Sequence, residues 1–196
     1  MTHLSKRLLQ LYAGLTVYGI SMALMIEAKL GSMPWDVFHQ GVAKQTGLAL
    51  GWVVMGVGAL VLLLWIPLRQ KPGIGTISNV LVIGFVAQST LELLPTPDLL
   101  PVRVAFLVTG VVLNGLAGGL YIGARLGPGP RDGLMTSIAA RTGKSIRLVR
   151  TLIEIAVVTS GFLLGGTLGL GTALYALTIG PLVQFFLPRL TVVPTR

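Results

Sequence analysis

Six apolar runs, approximately Leu8 to Ala28, Leu50 to Leu68, Ile74 to Leu94, Val104 to Ala124, Ile146 to Leu164 and Leu170 to Leu187, limit what this chain can become. Each is close to the roughly 20 residues that carry an α-helix across the hydrocarbon core of a bilayer. Only six of 196 residues are Asp or Glu and 53% are apolar, too few charges to clothe a water-soluble surface. The expected fold is therefore an all-α membrane protein with six transmembrane helices, forming a single transmembrane domain over residues 1–196. The first run follows His3, Lys6 and Arg7 with no small-residue cleavage site after it, and reads as a first helix rather than a signal peptide.

Two shorter segments interrupt the pattern. Gly31 to Gly47 separates the first and second runs, and Gly127 to Gly143 separates the fourth and fifth. Pro34 and Pro130 suit a first helical position, Asp36 and Asp132 the positive end of the helix dipole, and Gly47 and Gly143 the residue just past a helix end. About a dozen residues cannot span a bilayer, so each is expected to be a short interfacial or re-entrant helix.

These segments also expose a repeat. An offset of 96 residues aligns Gly31 with Gly127 and, without a gap, Gly14 with Gly110, Gly19 with Gly115, Pro34 with Pro130, Asp36 with Asp132, Gly73-x-Gly-Thr76 with Gly169-x-Gly-Thr172, Gly84 with Gly180 and Gln88 with Gln184. Polar and turn residues match as well as leucines, which points to duplication, with repeat 1 over about residues 8–96 and repeat 2 over about 104–190. Three spans per repeat is an odd number, so the two repeats are expected to insert in opposite orientations.

Orientation follows from the basic residues, which accumulate in cytoplasmic loops. With the N-terminus inside, 12 of the 15 Lys and Arg, Arg196 among them, fall on the cytoplasmic side, and Lys29, Lys44 and Arg103 fall outside. Both termini are then cytoplasmic, the Pro34 helix faces out and the Pro130 helix faces in. The net charge of +9 is explained in this way rather than by nucleic-acid binding. With no Cys, the chain has no disulfide, thiolate metal ligand or Cys nucleophile.

Leu30-Gly-Ser-Met-Pro-Trp-Asp-Val37, Pro72-Gly-Ile-Gly-Thr-Ile-Ser-Asn79, Leu126-Gly-Pro-Gly-Pro-Arg-Asp-Gly-Leu134, Val149-Arg-Thr-Leu-Ile-Glu154 and Gly169-Leu-Gly-Thr172 resemble the YczE/YyaS/YitT family of bacterial integral membrane proteins. The resemblance covers nearly the whole chain. It implies a multi-pass protein of the bacterial plasma (inner) membrane and supplies neither a substrate nor catalytic residues.

Candidate functional residues are polar groups inside apolar runs, because a lipid-embedded polar group is costly unless it has a partner or a task. Glu154, with Arg150 and Arg147 on the same helix face, could take up a proton or cation; alternatively the pair orients its helix at the interface. Asp36 and Asp132 suit paired gates that bind a cation or pair with Arg131, or they simply stabilise first turns. Thr76 and Thr172 sit at Gly-broken helix starts that could hold an anion or could be capped turns. Gln88, Gln184, Asn79 and Asn114 are candidates for solute contact or interhelical hydrogen bonds. Trp35, Trp52 and Trp65 are expected at the interfaces as anchors.

His3 and His39 are isolated and form no metal-ligand pair, so neither a metal nor a cofactor is expected. Without a nucleophile–base pair, an enzyme is not expected either. Inverted repeats, Gly-broken segments and midplane polar residues form the pattern of secondary transporters. The chain reads as a small transporter or exporter of a solute or ion, in contact with the bilayer. Homo-oligomers through the glycine faces of Gly115, Gly119 and Gly123, or of Gly161, Gly165 and Gly169, are open to it. The alternative is a scaffold or accessory protein that docks a soluble partner or anionic lipid on its basic face from Arg125 to Arg150.

Overall fold

The computed structural model describes residues 3–192, so Arg196 lies outside the described residues. Those residues form nine helices and no strand. In chain order they are α1 (His3–Glu27), α2 (Pro34–Thr46), α3 (Leu50–Leu63), α4 (Trp65–Leu68), α5 (Ile74–Leu93), α6 (Leu100–Gly123), α7 (Pro130–Thr142), α8 (Ile146–Leu163) and α9 (Leu170–Leu190). α3 and α4 are separated at Leu64 and together make one apolar stretch, Leu50–Leu68.

Among the described residues, five stretches are long and apolar enough to cross a membrane: Leu4–Glu27, Leu50–Leu68, Ile74–Leu93, Leu100–Gly123 and Leu170–Leu190. α8 is not among them. It has 18 residues and carries Arg147, Arg150 and Glu154, so length and composition alone do not make it a span. The side chains left on the outside, among them Leu60, Ile66, Phe85, Leu93, Phe162, Leu163 and Leu177, are large and apolar. Water would be a poor solvent for so continuous an apolar surface.

α2 and α7 have the lengths and ends that the Pro and Gly spacing dictates. Each has 13 residues, begins on a proline and stops at a glycine in the left-handed region, Gly47 at φ 71° and Gly143 at φ 66°. A side chain at either glycine would strain that backbone.

The packing repeats itself at the 96-residue offset. Arg7 donates to the carbonyls of Ala124 and Arg125, capping the end of α6, and Arg103 donates to those of Ala28 and Lys29, capping the end of α1. The Gly75 N–H donates to Leu126 O at 2.8 Å, and the Gly171 N–H donates to Leu30 O at 2.7 Å. α1 crosses α6 so closely that a Cβ at Gly14 would meet Leu120 and Tyr121, while one at Gly110 would meet Met25 and Ser21. A stabilising contact made by one half on the other is thus returned at the matched position.

The match fails most sharply where α3 meets α5. α3 packs against α5, where a Cβ at Gly51 would meet the Gly84 carbonyl and the Gln88 Oε1 accepts the Gly51 N–H at 3.0 Å. The corresponding α8 and α9 stand apart, and a Cβ at Gly180 would meet nothing within 4 Å.

α2 instead lies against α8, where Gly41 meets the Gly161 backbone and Gly161 meets the backbone of Val37 and Phe38. α7 lies against α3 and α4, with Trp65 filling the space beside Gly133 and donating its Nε1–H to Pro130 O at 3.0 Å. Two of the three tryptophans are therefore not interfacial anchors: Trp65 is 1% and Trp35 8% exposed, whereas Trp52 is 67% exposed. The large ring at Trp65 is needed as core because its neighbour Gly133 has no side chain.

Candidate functional site

The open seam leads into a cavity of about 310 Å³ at the meeting of α1, α3, α5, α6, α7, α8 and α9. Its apolar lining comes from residues such as Val54, Val80, Ile83, Ile179 and Val183, and its polar lining from Tyr18, Asn79, Asn114, Tyr121, Arg131, Asp132, Arg150, Tyr175 and Gln184. Both halves contribute. Four of these polar residues form two matched pairs at the 96-residue offset, Tyr18 with Asn114 and Asn79 with Tyr175.

α7 brings its N-terminal end, Gly129 to Asp132, to the cavity wall. That end carries the positive pole of the helix dipole. Asp132 accepts a hydrogen bond from the Tyr121 hydroxyl at 2.6 Å. Arg131 reaches away from α7 to α2 in the other half: its guanidinium carbon lies 4.8 Å from the Trp35 ring centroid, Nη1 is 3.8 Å from Met33 Sδ, and Nη2 is 3.3 Å from His39 Nε2.

That last contact sets a proton. A guanidinium can only donate, so His39 Nε2 must accept, and the imidazole is neutral with its proton on Nδ1. Nδ1 then donates to Asp36 Oδ1, 3.3 Å away. Burial pushes the His39 imidazole below its usual 6.5; the Asp36 hydrogen bond opposes this and the Arg131 charge reinforces it. Arg131, His39 and Asp36 form a relay, the last two wholly buried.

Asp36 Oδ2 has no hydrogen-bond partner among the described residues. The offset explains it, because the position matching Tyr121, whose hydroxyl serves Asp132, is Met25. A second buried chain runs from the Tyr175 hydroxyl to Asn114 Oδ1 at 3.0 Å and from Asn114 Nδ2 to Ser21 Oγ at 2.9 Å. Such networks are rigid when every member is satisfied.

Of the residues singled out from the sequence, Arg131, Asp132, Arg150, Asn79, Asn114 and Gln184 meet at the cavity, and Asp36 joins through His39. Glu154 is tied to the wall through Arg150, whose Nε donates to it at 2.8 Å. Gln88, Thr76, Thr172 and Arg147 are not in the lining. Gln88 closes the α3–α5 seam and also donates to Glu92. Thr76 accepts from the Gly73 N–H and donates to Pro128 O, binding the start of α5 to the turn before α7. Thr172 is buried and its hydroxyl has no hydrogen-bond partner among the described residues, and Arg147 is exposed.

The residues that sequence reasoning passed over are Tyr18, Tyr121, Tyr175 and His39. The tyrosines had a usable signal, since the offset sets two of them against asparagines. His39 had none, because its partner Arg131 is 92 residues away.

A family model described as a family of unknown function, DUF6198, matches residues 5–188. A Haemophilus influenzae protein named "Uncharacterized protein" is 44% identical over 173 residues, 88% of this chain and 79% of that protein. The Bacillus subtilis "Uncharacterized membrane protein YczE" is 34% identical over 180 residues, 91% of this chain and 84% of its own length. A second Bacillus subtilis protein, YyaS, is 27% identical over 183 residues, 89% of each. No solved structure matches. Together with the five apolar stretches, these relatives identify a membrane protein.

Proposed function

This chain belongs to the DUF6198 family, and from that premise we propose that it is a small secondary transporter of the bacterial plasma membrane, with both termini cytoplasmic and no enzymatic role. In this reading α8 is the sixth crossing, and its charges lie along the cavity and the cytoplasmic half of the membrane rather than in lipid. The two halves are inverted repeats about an axis in the membrane plane. The returned contacts, Arg7 on α6 and Arg103 on α1 above all, support that arrangement, because a twofold axis exchanges them.

The observation that carries the proposal is the central cavity, lined by polar and apolar side chains of both halves and bordered by the parted α8 and α9. Inverted-repeat transporters bind solute at such a repeat interface and expose it to each side in turn. The unequal seams supply the means. Closing α8 on α9 while opening α3 from α5 exchanges the conformations of the two repeats and moves the opening to the opposite face. In that state Gln184 would take the role Gln88 has now, accepting the N–H of Arg147, the residue that matches Gly51.

Uptake by proteoliposomes containing the purified protein, screened across inorganic ions and small metabolites, tests this directly. Accumulation of at least one solute above protein-free vesicles is expected. No movement of any solute, from a preparation that remains folded and oriented, would sink the proposal.

A further inference from the structure

We infer that the solute the cavity takes is a small organic anion bearing a carboxylate, gripped by Arg131 with Arg150 as the second cation. The inference rests on the transporter reading for its biological meaning, and on the cavity alone for its chemistry.

Among the described residues, three charged side chains line the cavity, Arg131, Arg150 and Asp132; Arg150 is ion-paired to Glu154, which leaves Arg131 as the lining cation without a carboxylate partner. Asp132 already accepts from the Tyr121 hydroxyl. The two other carboxylates nearby, Asp36 and Glu154, are outside the lining. Asp36 lies behind His39, and Glu154 holds Arg150 through its Nε only.

Arg131 has no carboxylate within ion-pair distance among the described residues; its neighbours are an imidazole nitrogen, a thioether and the face of a ring. A guanidinium has five N–H donors. The contacts to His39 and Met33 use two of them, and the remainder form the planar fork that matches a carboxylate. A charge withdrawn from bulk water gains most from a directly bound counter-charge.

The rest of the wall suits the body of such a molecule. Asn79 and Gln184 make no hydrogen bond to another described residue and can donate or accept, while valines, isoleucines and tyrosine rings offer apolar contact. The volume of about 310 Å³ is at the small end of the range for ligand pockets, roughly 300–1,000 Å³. A cation would instead meet the guanidinium of Arg131, which no carboxylate neutralises.

Benzoate, benzamide and benzylammonium share one shape and differ in charge, and with succinate as a second carboxylate they form the test. Isothermal titration on the detergent-purified chain should detect benzoate or succinate at millimolar concentration and weaker or no binding of the amide and the ammonium. Arg131→Gln should weaken the bound carboxylate by about tenfold or more, and Arg150→Gln by less. Both variants are checked by gel filtration and thermal unfolding.

If Arg131→Gln does not fold, the Arg150→Gln and charge-series results decide. Binding of neither carboxylate, preference for benzylammonium or benzamide, or equal carboxylate affinity in every folded variant would overturn the inference. Titration needs no flux. Carboxylate binding without uptake would therefore remove the transporter reading and leave this inference standing, while uptake restricted to cations or neutral solutes would do the reverse.

Discussion

Nη2 of Arg131 donates to Nε2 of His39 at 3.3 Å, joining the start of α7 to the middle of α2 across the two halves of the chain. The same contact fixes the imidazole as neutral and aims its other nitrogen at Asp36.

This gives a pH dependence with a definite sign. The unfolded chain protonates His39 near pH 6.5, whereas burial holds the folded imidazole below that value. Stability from this group is therefore complete above about pH 6.5 and is lost as pH falls toward the folded value, at no more than about 1.4 kcal/mol per pH unit. Thermal unfolding in detergent between pH 8 and pH 5 should fall more steeply for the parent chain than for His39→Gln. Parallel profiles would show that His39 is not held neutral.

Two glycines one helix apart should respond oppositely to the same change. A Cβ at Gly161 would enter the backbone of Val37 and Phe38, so Gly161→Ala should cost about 1–3 kcal/mol in unfolding experiments. Gly180 faces open space within α9, and Gly180→Ala should be neutral or gain up to about 1 kcal/mol from helix propensity. If the α8–α9 seam closes during transport, a larger residue such as Gly180→Leu should leave folding intact and suppress flux.

Gln88 is a latch in this account. Its Oε1 accepts the Gly51 N–H where α3 meets α5. Gln88→Ala should weaken that seam by about 0.5–1.5 kcal/mol, raising the labelling of a cysteine placed at Met55 in a chain that has no cysteine of its own. Unchanged labelling would remove the seam from the mechanism.

Glu154 and Arg150 are 30% and 52% exposed, and an ion pair that open contributes less than about 1 kcal/mol to stability. Glu154→Gln should therefore fold normally. If Glu154 is the coupling group, proton-driven accumulation should vanish in that variant while downhill exchange persists. Retained coupling would point to the His39–Asp36 pair instead.

The short helices were legible because proline, aspartate and glycine act locally: Pro34, Asp36 and Gly47 state where α2 begins and ends whatever packs on it. The apolar runs were legible by length alone. α8 was the exception, since its run is apolar on average and yet holds three charges whose placement depends on a wall formed by other helices.

The site was half legible for the same reason. Arg131 and Asp132 stand out as charges at a helix start, and the repeat points to Gln184. The asymmetry between Gln88 and Gln184, identical in sequence and different in contacts, is a property of conformation that one sequence cannot encode in either residue. The burial of Trp65 follows from Gly133, far away in sequence, and the task of His39 from Arg131.

The most direct test of two inverted halves around one cavity uses Leu48 and Lys144, exposed residues at matched positions just after α2 and α7. Single cysteines there, labelled in intact cells with a membrane-impermeant maleimide, should give opposite results. Leu48→Cys should react from outside, and Lys144→Cys only after permeabilisation. Labelling of both from the same side would contradict the account.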